Sequence, residues 1–164
     1  MFLAEKGWIS GYSDGTYKPN KPIARAQAAK IISNFLGLTP TNEKISFSDV
    51  DQNHWAFGVV RLVAQHKIMN GLGDGRFAPT ANITRAQMAQ ILYNADFYSQ
   101  SINNQKQSFS DVDNNHWAYV AIETMKQEGI LNGYADGRFG PNDSLSRAQI
   151  AAIIYRLYEK GLSK

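Results

Sequence analysis

The chain has 164 residues and no cysteine, and its hydrophobic and charged fractions are 43% and 19%. Such a composition predicts a folded domain with a substantial core rather than a disordered chain, and it excludes disulfides and thiolate metal sites. The net charge of +3 suits an anionic partner, but no dense Lys/Arg stripe typical of nucleic-acid binders is present. No apolar run approaches the roughly 20 residues of a membrane span, and no signal peptide is visible at the start of the chain.

The pattern of residues 1–9 predicts the last part of a helix, which ends at Gly7. A Gly-rich loop follows, and then a helix over about residues 25–36. Its apolar positions recur at helical spacing: Ala28, Ile31, Ile32 and Phe35. Residues 41–46 form a polar linker.

The second and third parts of the chain open alike, with Phe-Ser-Asp-Val and then His-Trp-Ala, at 47–56 and 109–118. We predict a helix after each. The apolar face of the first of these helices would carry Trp55, Val59, Leu62 and Val63, and that of the second Trp117, Ala121, Thr124 and Met125. A polar linker spans 99–108, and the last helix covers about 147–159 with Ile150, Ile153, Ile154 and Leu157 facing inward.

One pattern occurs three times, at residues 10–27, 70–87 and 132–149. It is an Asp-Gly turn, an aromatic residue and a proline, followed by a helix that opens with Arg-Ala-Gln. The turn aspartates lie 60 and 62 residues apart, and so do the helix arginines, which indicates a true internal repeat. We predict repeats over 1–40, 47–98 and 109–160, the first lacking its initial helix. Packed together they would form one compact, mainly all-α domain of helix–loop–helix units, with very short strands at most.

Each Arg-Ala-Gln helix begins with an arginine in its first turn, as Arg25, Arg85 and Arg147. The helix dipole disfavours a cation there, so a second role is indicated. Free N–H groups at the helix start together with a guanidinium would form an anion site. The alternative is that each arginine bonds carbonyls of its own Gly-rich loop, or the aspartate of that loop.

The helix starts also fit the capping box, in Thr84 to Gln87 and Ser146 to Gln149, whereas the first copy has Ala24 in place of the hydroxyl residue. The aromatic residue of each loop, as Tyr17, Phe77 and Phe139, is expected in the core.

The Asp-x-Asp-x-Asn run at 49–53 and 111–115 imitates the start of a calcium loop. It then lacks the glycine and glutamate that such a loop needs, so we interpret these residues as caps of the following helices. His54 and His116 do not complete a zinc motif, and no catalytic motif is present.

The recurring Phe-Ser-Asp-Val…His-Trp-Ala, Gly-Tyr-x-Asp-Gly-x-Phe-x-Pro and Ile-Thr-Arg-Ala-Gln resemble the S-layer homology (SLH) family of bacterial surface proteins. The match covers nearly the whole chain, in two full repeats and one partial repeat. The resemblance implies a pseudo-threefold bundle at the cell surface, typically of a Gram-positive bacterium. It implies non-covalent anchoring, through grooves between repeats, to a secondary cell-wall polysaccharide that often carries a pyruvylated amino sugar. No cofactor, metal or catalytic residue is implied, and any catalytic domain would lie outside this chain.

The family's motif arginine falls on the three helix arginines, while its glutamate is replaced by Gln27, Gln87 and Gln149. The candidate ligand-binding residues are Arg25, Arg85, Arg147, Asp14, Asp74, Asp136, Gly11, Gly71, Gly133, Tyr12, Tyr134, Trp55 and Trp117. The two tryptophans would either stack on a sugar face or fill the core, and we favour the core.

A second hypothesis is a structural module that self-associates as a homo-oligomer, in which another chain supplies the missing helix of repeat 1. A wall hydrolase is a more distant third. No nucleic-acid partner and no membrane insertion are expected.

Overall fold

The computed structural model describes residues 2–95 and 107–162, and its regular structure there is helical. The helices are α1 (Phe2–Glu5), α2 (Arg25–Leu36), α3 (Phe57–Gln65), α4 (Arg85–Asn94), α5 (Tyr119–Gln127) and α6 (Arg147–Glu159). The predicted helices at 25–36 and 147–159 and the mainly all-α class are confirmed. Most of the predicted linker 99–108, and the last residues of predicted repeat 2, lie outside the described residues.

The chain divides into two compact units, Met1–Ile83 with Leu145–Lys164, and Thr84–Ser144. In the first unit α3 packs against α2. There α1 contacts α6 through aromatic rings, with the Phe2 centroid 4.9 Å from that of Tyr158. In the second unit α5 packs against α4. The repeat boundaries themselves stay predictions.

The apolar faces predicted for α2 and α6 are confirmed, because all eight of their named residues are buried. The loop aromatics Phe77 and Phe139 are fully buried as expected, whereas Tyr17 is half-buried.

The face predicted for α5 is confirmed at Ala121, Thr124 and Met125. That of α3 is confirmed at Val63, whereas Val59 and Leu62 are half-buried, and the tryptophan of each face needs correction. Trp55 and Trp117 are 61% and 62% exposed, so the expectation that they fill the core is wrong. The reason is local: each helix begins two residues after its tryptophan, and the tryptophan therefore does not share the helical face. Val60 and Ile122, both fully buried, fill the core instead.

Three residues that lie two positions before the helix arginines form a closed set of hydrogen bonds within the first unit. Ile23 N donates to Leu145 O (2.9 Å), Leu145 N to Ile83 O (3.0 Å), and Ile83 N to Ile23 O (3.0 Å). All three side chains are fully buried. Each repeat thus contributes one residue, and the expected short strands are reduced to isolated bridges such as Pro22 with Ser146.

Both complete capping boxes form as the sequence predicts. Thr84 Oγ1 accepts from Gln87 N (3.2 Å), and the Gln87 side chain accepts from Thr84 N (3.1 Å). Ser146 and Gln149 repeat this arrangement. At α2 only the glutamine half is present, because Ala24 has no side-chain oxygen to accept from the backbone.

Candidate functional site

Each helix arginine is buried and bonds to the Gly-rich loop of the next repeat. Arg25 Nε donates to Phe77 O (2.8 Å), Arg85 Nε to Phe139 O (2.7 Å), and Arg147 Nε to Tyr17 O (2.7 Å). The three side chains are only 5 to 6% exposed. The alternative prediction was that each arginine bonds carbonyls of its own Gly-rich loop. It is correct about the carbonyls but wrong about the loop, since the bonds reach a neighbouring repeat.

A second bond fixes each guanidinium at the start of the same loop. One terminal nitrogen donates to the carbonyl of Asn70 from Arg25 (2.9 Å), of Asn132 from Arg85 (2.6 Å), and of Ser10 from Arg147 (2.6 Å). Burial lowers the pKa of Arg25 and Arg85 below the ordinary arginine value. The arginine thus clamps both ends of a loop that begins near residue 10, 70 or 132.

The helix N-termini are also committed to loop carbonyls. Arg147 N donates to Lys21 O (3.0 Å) and Ala148 N to Pro19 O (2.9 Å), and the other two helices repeat this pattern. The premise that these N–H groups are free for an anion is therefore wrong at the first two helical positions. The protein itself satisfies the orphan donors of the helix start.

The turn aspartates do not contact the helix arginines by hydrogen bonds, contrary to one of the sequence alternatives. Asp14 accepts from Thr16 N (3.0 Å) and pairs with Lys18 Nζ (2.8 Å), and these hydrogen bonds lower the pKa of Asp14 to about 2. Asp74 and Asp136 likewise bond the backbone and side chain of the arginine two residues later. These three carboxylates shape their own loops.

A different aspartate, which the sequence analysis assigned to helix capping, holds the loop. Asp49 accepts from Phe77 N and Ala78 N, both at 2.8 Å. Asp111 accepts from Phe139 N (2.7 Å) and Gly140 N (2.8 Å). The capping interpretation is wrong for both, since the N-cap residues of α3 and α5 are Ala56 and Ala118, which have no side-chain acceptor.

Burial raises the pKa of Asp49, but the two backbone donors outweigh it and the net pKa lies below the usual value. The sequence did carry a signal for this contact between the aspartate and the loop backbone. The separation of 28 residues between the aspartate and the loop aromatic is the same in repeats 2 and 3.

One pocket of about 300 Å³ lies in the first unit and contains several predicted residues. Gly11, Tyr12, Trp55 and Arg147 line it together. The polar residues that sequence reasoning missed there are Gln27 (named only as a replaced glutamate), Lys30 and Asn34, all on α2. Helical spacing places these three on one side of α2, which is the signal that could have found them.

The same pocket is bordered by positive charge. The Tyr12 ring lies 4.6 Å from Lys18 Nζ, 5.1 Å from Lys21 Nζ and 4.7 Å from the Arg147 guanidinium carbon. The Tyr12 hydroxyl is buried at this pocket. The arrangement can accept a polar, anionic ligand that also offers an apolar face to Trp55.

The other predicted residues lie apart from this pocket. Gly71 and Gly133 are covered by phenylalanine rings, since a Cβ at these positions would lie within 3 Å of Phe47 and Phe109 respectively. Tyr134 stacks on Arg85 (5.0 Å) and donates its hydroxyl to Asp143 (2.9 Å). Trp117 is exposed beside His116, at a centroid distance of 5.6 Å.

Among the described residues, no helix has the length and apolar character needed to cross a bilayer. His54 and His116 take local roles, since His54 Nδ1 accepts from Ala56 N (3.1 Å) and His116 Nδ1 from Ala118 N (3.1 Å).

The S-layer homology domain family matches this chain over residues 1–29, 46–89 and 108–151. A cellulosome-anchoring protein of Acetivibrio thermocellus is 34% identical over 161 residues, which is 94% of this chain. S-layer protein EA1 of Bacillus anthracis is 34% identical over 155 residues, or 93% of the chain. An amylopullulanase of Thermoanaerobacterium thermosulfurigenes is 32% identical over 165 residues, or 96%.

The chain belongs to the S-layer homology domain family, as its sequence motifs indicated. It is a tandem-repeat module of the bacterial cell surface, and this domain is a binding module rather than a catalytic one. The chain spans 36%, 18% and 9% of the three relatives in the order given.

Proposed function

We propose that this chain anchors a surface protein to the bacterial wall by binding an anionic secondary cell-wall polysaccharide that carries pyruvate ketals. The observation that carries this proposal is the pocket of the first unit, which combines an exposed tryptophan, a lysine and amide side chains. Stacking on an aromatic face with a few placed polar groups is how protein sites take up sugars and similar ligands.

Trp55 is the proposed stacking surface. A tryptophan that is 61% exposed contributes little burial to the fold, so folding alone does not account for its position at the pocket. Gly11, which lines the same pocket, allows the backbone of the loop to approach a ligand closely.

Lys30 is the proposed partner of the ligand carboxylate. It is exposed on α2, and the equivalent positions of the other two repeats hold Gln90 and Ala152. Of the three repeats, only the first therefore has a cationic side chain at this helix position. An ammonium group bonds a carboxylate through charge-assisted hydrogen bonds.

We propose a supporting role for the arginines. Arg147 lines the pocket, and its remaining terminal nitrogen bonds no described residue. The guanidinium therefore adds positive charge to the pocket lining while its other two nitrogens bond loop carbonyls. Any equivalent sites of the other repeats would use the remaining predicted residues, which are Arg25, Arg85, Asp74, Asp136, Gly71, Gly133, Tyr134 and Trp117. The loop carboxylate Asp14 would act on the ligand only through the loop.

Co-sedimentation with purified Gram-positive walls tests the proposal. Wild type is expected to pellet with intact walls and to stay soluble with walls stripped of their secondary polymer. Trp55→Ala and Lys30→Gln should reduce pelleting while the circular dichroism spectrum and melting temperature are unchanged, because both side chains are exposed. Pelleting that is independent of the polymer would contradict the proposal.

A further inference from the structure

Two of the three Gly-rich loops place a tyrosine beside a helix arginine. In loop 1 (residues 10–22) the Arg147 guanidinium carbon lies 4.7 Å from the Tyr12 ring centroid. In loop 3 (residues 132–144) the Arg85 guanidinium carbon lies 5.0 Å from the Tyr134 ring centroid. The tyrosine N–H donates to the carbonyl four residues later at 2.8 Å in loop 1 and at 2.7 Å in loop 3. The two loops therefore offer the same aromatic ring and the same cationic group on the same backbone turn.

The residue four positions before the helix arginine of each repeat differs in charge between these loops. It is Lys21 in loop 1, Ala81 in loop 2 (residues 70–82) and Asp143 in loop 3. The Lys21 ammonium lies 5.1 Å from the Tyr12 ring centroid. The Asp143 carboxylate instead accepts a hydrogen bond from the Tyr134 hydroxyl at 2.9 Å. One position of the repeat thus puts opposite charges beside the two tyrosines.

A glycine makes room for the Asp143 carboxylate in loop 3. Gly140 has φ +69°, and a Cβ built on it would meet that carboxylate and the Tyr134 ring. Loop 1 has Lys18 at the equivalent position, also left-handed at φ +53°, and its ammonium lies 4.6 Å from the Tyr12 ring centroid. Two positions therefore change together, from two lysines in loop 1 to a glycine and an aspartate in loop 3.

The tyrosine pKa values are shifted in opposite directions. Burial raises the pKa of Tyr12, but the Gln27 side chain and the nearby cationic groups outweigh burial, and the net pKa lies below the ordinary tyrosine value. Burial raises the pKa of Tyr134 as well, and the hydrogen bond to Asp143 adds to this rise. Burial lowers the pKa of Arg85, and the acidic groups around it, Asp143 among them, offset part of that effect. The surroundings of the tyrosine therefore favour negative charge in loop 1 and disfavour it in loop 3.

We propose that Asp143 excludes anionic ligands from loop 3, and that the residue four positions before the helix arginine thereby determines which loop takes up the anionic groups of the wall polymer. In loop 1, Lys21 attracts a ligand carboxylate towards Tyr12. In loop 3 a carboxylate of the chain itself lies beside Tyr134, and it repels a second one. This inference rests on the proposed function, because it decides between two loops for the same ligand.

The fold does not depend on the charge of Asp143. Its side chain is exposed, and the main chain holds this part of the loop: Asp143 N donates to Gly140 O (3.1 Å), and Asp143 O accepts from Arg85 N (2.9 Å). A substitution keeps both of these backbone bonds. The charge at this position can therefore be changed while the loop stays in place.

NMR of the whole 164-residue chain with ring-labelled tyrosines tests the proposal. The probe is the pyruvylated oligosaccharide cut from the wall polymer. In the wild type the Tyr12 signals should shift with saturation and the Tyr134 signals should not. Asp143→Lys should give Tyr134 a saturable response, and Lys21→Asp should weaken the Tyr12 response by about fivefold or more, the effect of reversing one nearby charge in water.

Two further variants separate the charge at this position from shape and from the net charge of the chain. Asp143→Asn keeps the shape, and it should lower the phenol pKa of Tyr134 in the absence of any probe as well as permit a weak response to the oligosaccharide. Ala81→Lys raises the net charge by the same amount as Asp143→Asn, but loop 2 has Leu72 at the tyrosine position. Ala81→Lys should therefore leave the responses of both tyrosines unchanged.

The possible failures are distinguishable. Equal responses of Tyr12 and Tyr134 in the wild type would overturn the role of Asp143 and leave the proposed function standing. So would an unresponsive Tyr134 in both Asp143 variants at an unchanged melting temperature, or an unchanged Tyr134 pKa in Asp143→Asn. An unresponsive Tyr12 in the wild type would contradict the proposed function itself, and the inference would fall with it.

Discussion

Arg147 and Tyr17 exchange hydrogen bonds across 130 residues of sequence. The arginine Nε donates to the tyrosine carbonyl at 2.7 Å, and the tyrosine hydroxyl donates to the arginine carbonyl at 2.8 Å. The guanidinium carbon also lies 4.6 Å from the tyrosine ring centroid. The motif arginine is thus part of the structure that joins repeat 3 to repeat 1, and we expect its removal to destabilise the fold.

Arg147→Ala should lower the free energy of unfolding by about 3 kcal/mol, because two buried carbonyls lose charged donors. Urea denaturation followed by circular dichroism measures this. Arg138→Ala is the matched control: that arginine is exposed and its ion pair with Asp136 is solvated, so the stability should barely change. Equal stability of the Arg147→Ala variant and wild type would contradict a stabilising role for the hydrogen bonds from Arg147 to the loop carbonyls.

Asp49→Asn should destabilise the fold by roughly 1–3 kcal/mol at neutral pH, since an amide oxygen replaces a carboxylate that accepts two backbone N–H bonds. Because the folded pKa of Asp49 is lowered, its stabilisation is present above the unfolded value near 3.9 and is lost as the pH falls through the folded value. The stability gap between wild type and Asp49→Asn should therefore narrow below about pH 4.

Asp51→Asn provides the comparison for that pH series. Asp51 is exposed, and within residues 2–95 and 107–162 its carboxylate accepts only from the local Asn53 N, at 2.7 Å. Its substitution should have a smaller effect on stability at neutral pH. A gap between wild type and Asp49→Asn that stayed constant down to pH 2 would argue against the carboxylate as the source.

The missing cap of α2 can be restored. Ala24→Ser should stabilise the protein by about 1 kcal/mol, because Gln27 N then gains the acceptor that Gln87 N already has in Thr84. Thr84→Ala should cost a similar amount, and the melting temperatures of both variants measure the pair. No gain from Ala24→Ser would mean that this N–H is satisfied in another way.

Lys67 adopts a left-handed backbone at φ +56°, where the equivalent residues of the other repeats are glycines, Gly7 at φ +72° and Gly129 at φ +68°. Lys67→Gly should therefore stabilise the fold by roughly 0.5–1 kcal/mol, the relief of left-handed strain less the entropy cost of glycine. Thermal unfolding measures the gain. The substitution Gly129→Lys should have the opposite effect and is the matched control.

The helical fold could be predicted from the sequence because periodicity and capping are local. The spacing of Ile150, Ile153 and Ile154 predicted the buried face of α6, and Thr84 with Gln87 predicted the start of α4. The position of Trp55 could not be predicted, because a shift of two residues in the helix start moves the side chain from the core to solvent.

The site could be predicted only in part, because its decisive contacts are long-range. Arg25 reaches Asn70 across 45 residues, and Asp49 reaches Phe77 across 28. Residue types at a helix start indicate a charge to be satisfied, but they do not say whether a ligand or a neighbouring loop satisfies it. The sequence therefore identified the arginines correctly as unusual, while the structure assigns their bonds to loop carbonyls.

Calorimetric titration with an oligosaccharide cut from the wall polymer, compared before and after removal of its pyruvate ketals, tests the proposed pocket most directly. Wild type should bind the pyruvylated form, and loss of the ketal should weaken binding at least tenfold. Lys30→Gln should weaken binding of the pyruvylated form alone, and Trp55→Ala should weaken binding of both forms. Unchanged affinity in the folded Trp55→Ala and Lys30→Gln variants would contradict the assignment of the ligand to this pocket.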